Sequence, residues 1–213
     1  MLVPSTSVVR LRRALRRLPV ALAAASLCAG CAGGGKPSND LKPGQPLLLE
    51  GYSFMPPADD GWMIVERGPD HIVLAKPGKY AGEAHSVRSA RVPVPQSPAT
   101  LVLVNHVRAL EVAALPAPRF RIRTLEVEPA ETDVATCARA HVLAEDREPG
   151  GTTGPIVAVL LESFSLTCRE GDRPGSAVRL GYMHRAFPED RDPGLRARAQ
   201  AVTDSLILHG TQR

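Results

Sequence analysis

The sequence predicts an α+β domain: an antiparallel β-sheet meander with helices packed on its faces, an α/β/α-like sandwich. Three observations support this. Short apolar runs separated by Gly- and Pro-rich turns recur over residues 47–187, as strands do. Two stretches, one after Ser97-Pro98 and one after Asp192-Pro193, instead space their apolar residues as helices do. Two cysteines, Cys137 and Cys168, lie equidistant from the clearest loop of the chain.

The N-terminus reads differently. Residues 1–17 carry Arg10, Arg12, Arg13, Arg16 and Arg17, and Leu18 to Leu27 is a mainly apolar run of ten. Ten residues are too few to cross a bilayer as a helix, which needs about 20. A secretion signal over residues 1–30 is expected instead. Five of the 26 basic residues lie in this leader, which has no acidic residue. The remainder holds 21 basic and 22 acidic residues, so the formal charge of +4 becomes −1. A near-neutral domain has no electrostatic warrant for nucleic acid.

The small pair Ala29-Gly30 precedes Cys31. This arrangement looks like a bacterial lipoprotein signal, although Cys28 stands where that pattern prefers Leu. The resemblance implies a diacylglyceryl thioether on Cys31 and an acyl chain on its amino group, together a stable anchor. Ala32 is not the Asp that typically retains such proteins at the inner membrane, so the periplasmic face of the outer membrane is expected. The alternatives are the inner membrane, or an ordinary cleaved signal giving a soluble periplasmic protein. Residues 31–46 are rich in Gly and Pro and read as a tether with a reach of roughly 20 Å. Residues 47–213 then form a single domain, long enough for a sizeable core.

Within that domain, Leu47 to Met55 reads as a strand, Pro56 to Gly61 as a turn, and Trp62 to Val65 and Ile72 to Ala75 as short strands. Residues 77–97 give no clear assignment beyond an extended Val92 to Pro95. Ser97-Pro98 starts a helix, with Leu103, Val107 and Leu110 on one face and Pro116 at its end. Phe120, Ile122 and Thr124 alternate with arginines as a half-buried strand that Glu128-Pro129-Ala130-Glu131 breaks. Residues 135–146, Ile156 to Cys168 and Ala177 to Phe187 are three further strands. Asp192-Pro193 starts the last helix, with Leu195, Ala199, Val202 and Leu206 on one face and Gly210 past its end.

Cys137 and Cys168 centre on the loop Glu148 to Pro155, the position of a hairpin turn. On the oxidising side of a membrane such a pair is expected to form a disulfide across antiparallel strands, the alternative being two reduced buried thiols. That register places His141 beside Phe164 and Leu143 beside Glu162. Aligning the apolar faces of the next hairpin pairs Phe164 with Tyr182 and Glu162 with His184. His141, Glu162, Tyr182 and His184 then form a polar patch around Phe164. A carboxylate beside an imidazole can orient it or raise its pKa, which suits acid–base chemistry. A plain cross-strand polar pair is the simpler alternative.

The chain has no Gly-x-Ser-x-Gly, His-Glu-x-x-His or Cys-x-x-Cys, and no phosphate loop or dinucleotide fingerprint. His71, His85, His106 and His209 have no ligand-like spacing, and Asp59-Asp60 before Gly61-Trp62 reads as a turn rather than a cation site. No cofactor or metal is expected from these spacings.

Phe54-Met55-Pro56-Pro57, Gly61-Trp62, a helix, a strand meander and a closing helix through Ser205-Leu206-Ile207-Leu208 resemble the PsbP-like fold of the extrinsic photosystem II subunit. The resemblance implies an antiparallel sheet flanked by helices, and accessory or protein-binding roles rather than catalysis. It identifies no functional residue. The function expected is thus a non-enzymatic, lipid-anchored envelope module that binds or assembles a partner protein. A small-ligand or metal-binding periplasmic domain is the second reading, and a hydrolase using Glu162 and His184 the third.

Overall fold

A computed structural model describes residues 41–210, apart from 43, 81, 133–134 and 149–157. The signal over residues 1–30, the anchor at Cys31 and most of the tether lie outside the described residues. Two antiparallel sheets make up the domain. The larger has seven strands in the order β3 (Met63–Arg67), β4 (His71–Pro77), β5 (Ala84–Pro93), β9 (Ser176–Ala186), β8 (Val159–Arg169), β7 (Ala135–Asp146), β6 (Phe120–Thr132), and the smaller three in the order β1 (Leu47–Leu49), β2 (Tyr52–Phe54), β10 (Ile207–Leu208).

Strands β3 (Met63–Arg67), β4 (His71–Pro77) and β5 (Ala84–Pro93) form one meander. Helix α1 (Thr100–Ala113) then crosses over to the second, β6 (Phe120–Thr132), β7 (Ala135–Asp146), β8 (Val159–Arg169) and β9 (Ser176–Ala186). Strand β9 closes back onto β5. The expected single meander is therefore two, joined through the β5–β9 pairing. After β9 come helix α2 (Leu195–Thr203) and β10 (Ile207–Leu208).

The Cys137–Cys168 disulfide is formed, and its register runs through the sheet. His141 pairs with Phe164, Leu143 with Glu162, Phe164 with Tyr182, and Glu162 with His184. Successive strand residues point to opposite faces. Ala138, Ala140 and Val127 accordingly pack beneath Leu103, Val104 and Val107 of α1. The opposite face carries Phe164, Leu180 and Tyr182 against Leu195, Ala199 and Val202 of α2. The small sheet extends this second layer, with Tyr52 and Phe54 buried against Ile72, Leu74 and Val87. Fully burying each such apolar side chain contributes about 1.5–3 kcal/mol. Among the described residues, no helix is long and apolar enough to cross a membrane.

Several elements differ from expectation, each for a physical reason. The strand expected over Leu47 to Met55 is a hairpin of β1 (Leu47–Leu49) and β2 (Tyr52–Phe54), turned at Gly51, whose φ is 80°. The unassigned segment contains β5, ten residues long. Its polar look comes from Ser86, Arg88 and Arg91. Buried Ser89 hydrogen-bonds the Tyr52 hydroxyl at 3.1 Å, which lets a polar residue sit inside.

Strand β6 continues through Pro129, which pairs with Ala138. It is an edge strand, so the missing N–H falls on the unpaired side. A bulge at Arg123 moves the inward positions of β6 from Phe120 to Leu125 and Val127. The helices start later than their Ser and Asp signals. Ser97 Oγ accepts from the Ala99 amide, and Asp192 Oδ1 from the Gly194 amide, so both side chains brace the turn ahead of the helix. Helix α1 ends at Ala113, before Pro116. Helix α2 ends at Thr203, and Leu206 packs against the core from outside it. The close expected to be helical is the strand β10, paired with β2. Leu41, assigned to the tether, also packs against the core.

Candidate metal centre

His85 is the second residue of β5, directly opposite His184 on β9. Both point to the α2 side of the sheet, as do Val87 and Tyr182, one strand period further along. The rings stack with centroids 4.1 Å apart and planes 8° from parallel. Glu83 lies at the end of the β4–β5 turn. Its Oε2 accepts from the backbone amides of Lys79 at 2.6 Å and Tyr80 at 3.2 Å. Its Oε1 lies 3.2 Å from His184 Nε2. One ligand atom from each of Glu83, His85 and His184 falls within 4.8 Å of the others.

Aromatic rings wall this cluster. Trp62 meets His85 and Tyr182 edge-on, with centroids at 6.4 and 5.6 Å. The Tyr182 hydroxyl is 3.5 Å from His85 Nδ1. His184 is 3% exposed, which places the cluster where water competes weakly. Burial, with the neighbouring His184 charge, lowers the His85 pKa to about 4. His85 is therefore neutral at physiological pH and keeps a ring lone pair for a ligand. Burial raises the Glu83 pKa, but hydrogen bonds from His184 and the amides of Lys79 and Tyr80 outweigh it and hold the carboxyl below its usual range. An ionised carboxylate beside a neutral imidazole is a donor set for a divalent transition metal.

The expected patch is brought onto one face, but its contacts run differently. Glu162 and His184 are cross-strand partners, yet their hydrogen bonds go elsewhere. Glu162 accepts a bidentate pair from Arg191 at 2.8 and 2.9 Å, and its Oε1 lies 2.9 Å from His141 Nε2. Burial opposes its ionisation, but Arg191 and His141 together lower its pKa. His184 instead belongs to Glu83 and His85. The carboxylate–imidazole dyad expected of Glu162 and His184 is thus replaced by two separate clusters. The physical reason is the closer offer of Arg191 on one side and of the β4–β5 turn on the other. His141 stacks on Phe164 at 4.4 Å, Arg196 lies over the same ring, and a shallow pocket of about 30 Å³ remains beside them.

Of the other residues weighed, Asp59 accepts from Trp62 Nε1 at 3.1 Å and from Lys76 at 2.5 Å, which closes its turn. His106 Nε2 lies 3.0 Å from the Pro93 carbonyl and ties α1 to β5. Sequence reasoning missed Glu83, His85 and Arg191. Glu83-Ala84-His85 held the only local signal, since residues two apart at a strand start share one face.

No family model matches this sequence, and neither does any curated protein. Solved structures do. The chain is similar to the solution structure of cyanobacterial PsbP (CyanoP) from Synechocystis sp. PCC 6803, with 13% identity and a TM-score of 0.44. That match covers 75% of this chain and 88% of CyanoP. A crystal structure from Bacteroides thetaiotaomicron VPI-5482 aligns at 12% identity and a TM-score of 0.40. It covers 76% of this chain, which spans about half (47%) of that one. No role carries over to any residue here.

Proposed function

We propose that this chain is a non-enzymatic, lipid-anchored envelope module whose domain holds a divalent transition metal at Glu83, His85 and His184. The convergence of two imidazoles and an ionised carboxylate within 4.8 Å carries the reading. Zinc binds His nitrogen at about 2.0–2.1 Å and carboxylate oxygen at about 2.0–2.2 Å, so ligands around it stand about 3.3 Å apart. Glu83 and His184 are already at 3.2 Å. His85 offers a nitrogen within 4.8 Å of the other two ligand atoms, and its ring must turn out of the stack on His184 to close the set. Tyr182 beside His85 Nδ1 provides the outer hydrogen bond that orients a ligating imidazole.

Chelator-treated full-length protein in detergent, titrated calorimetrically with Zn²⁺, tests this. One ion per chain is expected for the wild type, with none retained by the His85→Ala, His184→Ala double variant. Unchanged stoichiometry in that variant overturns the site. Anchoring at Cys31 has its own test: radioactive palmitate enters the wild type and is lost in Cys31→Ala. Incorporation that survives the substitution refutes the anchor.

A second reading, docking of an envelope protein, is supported by Leu48 and Ile207. Both are largely exposed, at 66% and 58%, and both pair with Ser53, so they share one row of the small sheet. A photo-crosslinker at Leu48 is expected to capture one discrete protein in cells, and Ile207→Asp to abolish the adduct. Absence of any adduct removes this reading.

A further inference from the structure

Helix α1 lies on its side of the large sheet mainly over β6 and β7. On the same side, residues of β3, β4 and the middle of β5 stay outside the core. Ile72 and Leu74 of β4 point into the core on the α2 side, so Val73 and Ala75 point the other way. The register extends this open face to both sides of β4. Val73 pairs with Glu66 on β3 and with Arg88 on β5. One strand period along, Ala75 pairs with Met63 on β3 and with Ser86 on β5. Val73, Ala75 and Met63 are partly exposed and belong to none of the core clusters.

Val73 thus has an acid one strand away on one side and a base one strand away on the other. Glu66 meets His71 Nε2 at 3.3 Å but keeps half of its side chain (50%) in solvent. Arg88 is exposed, and among the described residues its guanidinium makes no hydrogen bond or ion pair. A row that reads acid, valine, base across three strands is complementary to itself when turned about its centre.

We propose that two copies of this chain pack on each other through this face, about a two-fold axis that runs along β4. The rotation lays β3 of each copy over β5 of the other. Glu66 of each copy then meets Arg88 of the other, and Met63 of each covers Ser86 of the other, a large side chain on a small one. Val73 and Ala75 meet their own counterparts at the axis. The strands of the two sheets stay nearly aligned, the geometry of a sandwich with its layers about 10 Å apart. The contact is isologous, so both ion pairs form twice by symmetry.

Three strands of five residues present only about 250 Å² of flat face. Stable interfaces bury about 800 Å² per partner, so the pairing is weak and reversible. An axis along the strands puts both chains' entry points at the same end of the pair. Two copies held on one membrane therefore fit this arrangement and gain effective concentration from it, a point that rests on the proposed anchor at Cys31. The pairing itself uses none of the metal ligands and does not need the anchor.

Sedimentation equilibrium of the full-length protein in density-matched detergent, at up to about 1 mM, tests this without any membrane. The wild type is expected to show a reversible dimer. Arg88→Glu and Glu66→Arg should each be monomeric alone, because each variant opposes like charges across the axis. An equimolar mixture of the two should regain the dimer, since every acid then faces a base. That recovery also shows that both variants are folded. A wild type that stays monomeric overturns the proposal and leaves the face to a different protein. A dimer that survives in either single variant, or a mixture that stays monomeric, overturns it as well.

Discussion

His85 and His184 face each other across β5 and β9 with their imidazoles stacked 4.1 Å apart. Two protonated rings at that distance repel, so the stack holds only while at least one is neutral.

The pH dependence follows from His85. Glu83, His184, Tyr182, Lys76 and Arg198 are the titratable and charged groups around it. Its pKa is about 4 when folded, against an ordinary 6.5 when unfolded. Between these values the unfolded chain binds a proton that the folded one refuses, so stability falls as pH drops. The contribution is complete above about 6.5, and on the order of 2 kcal/mol is lost by pH 5. Urea denaturation from pH 7 to pH 5 should show this decline in the wild type and a flatter profile in His85→Gln. Parallel profiles would refute the assignment.

Glu162 separates the two clusters. It is buried and paired with Arg191 and His141, so Glu162→Gln should cost about 1–2 kcal/mol through lost charged hydrogen bonds. Metal stoichiometry should stay unchanged, since His184 takes its carboxylate from Glu83. A variant that lost the ion would show that the two clusters act as one site.

The disulfide closes a segment of 31 residues between Cys137 and Cys168. In the chain-entropy account this stabilises by about 3–4 kcal/mol. The Cys137→Ala, Cys168→Ala double variant should therefore unfold at lower urea concentration. A midpoint unchanged from the oxidised wild type would contradict this.

Gly51 turns the β1–β2 hairpin with φ 80°, and an added Cβ would come 2.5 Å from Arg91 Nη2. Gly51→Ala should cost about 1–2 kcal/mol from the left-handed backbone alone. The further cost is displacement of Arg91 from the Glu50 carbonyl. Thermal denaturation measures both together. No loss of stability would mean that the hairpin is not part of the cooperative unit.

Much of the sheet was legible before the structure. The centring of Cys137 and Cys168 on one loop gave the β7–β8 register, and apolar alignment gave β8–β9, down to His141 beside Phe164 and Glu162 beside His184. Hairpin pairing is local in sequence, so turn position and side-chain period are enough to specify it. Strand β5 was not legible, because Ser86, Arg88 and Arg91 hide its period and buried Ser89 finds its partner in Tyr52, 37 residues away. Pro129 read as a breaker because only the strand order shows that β6 is an edge.

The sequence alone determined the α+β class, two helices on opposite faces and the cross-strand cysteine pair. All of these depend on patterns within a few tens of residues. Tertiary structure alone decided which carboxylate serves which histidine. Glu83 and His184 are 101 residues apart and meet through the β5–β9 pairing that joins the two meanders. Arg191 reaches Glu162 from beyond β9. Such contacts depend on how separate units close on one another, and no local period in the chain encodes that closure.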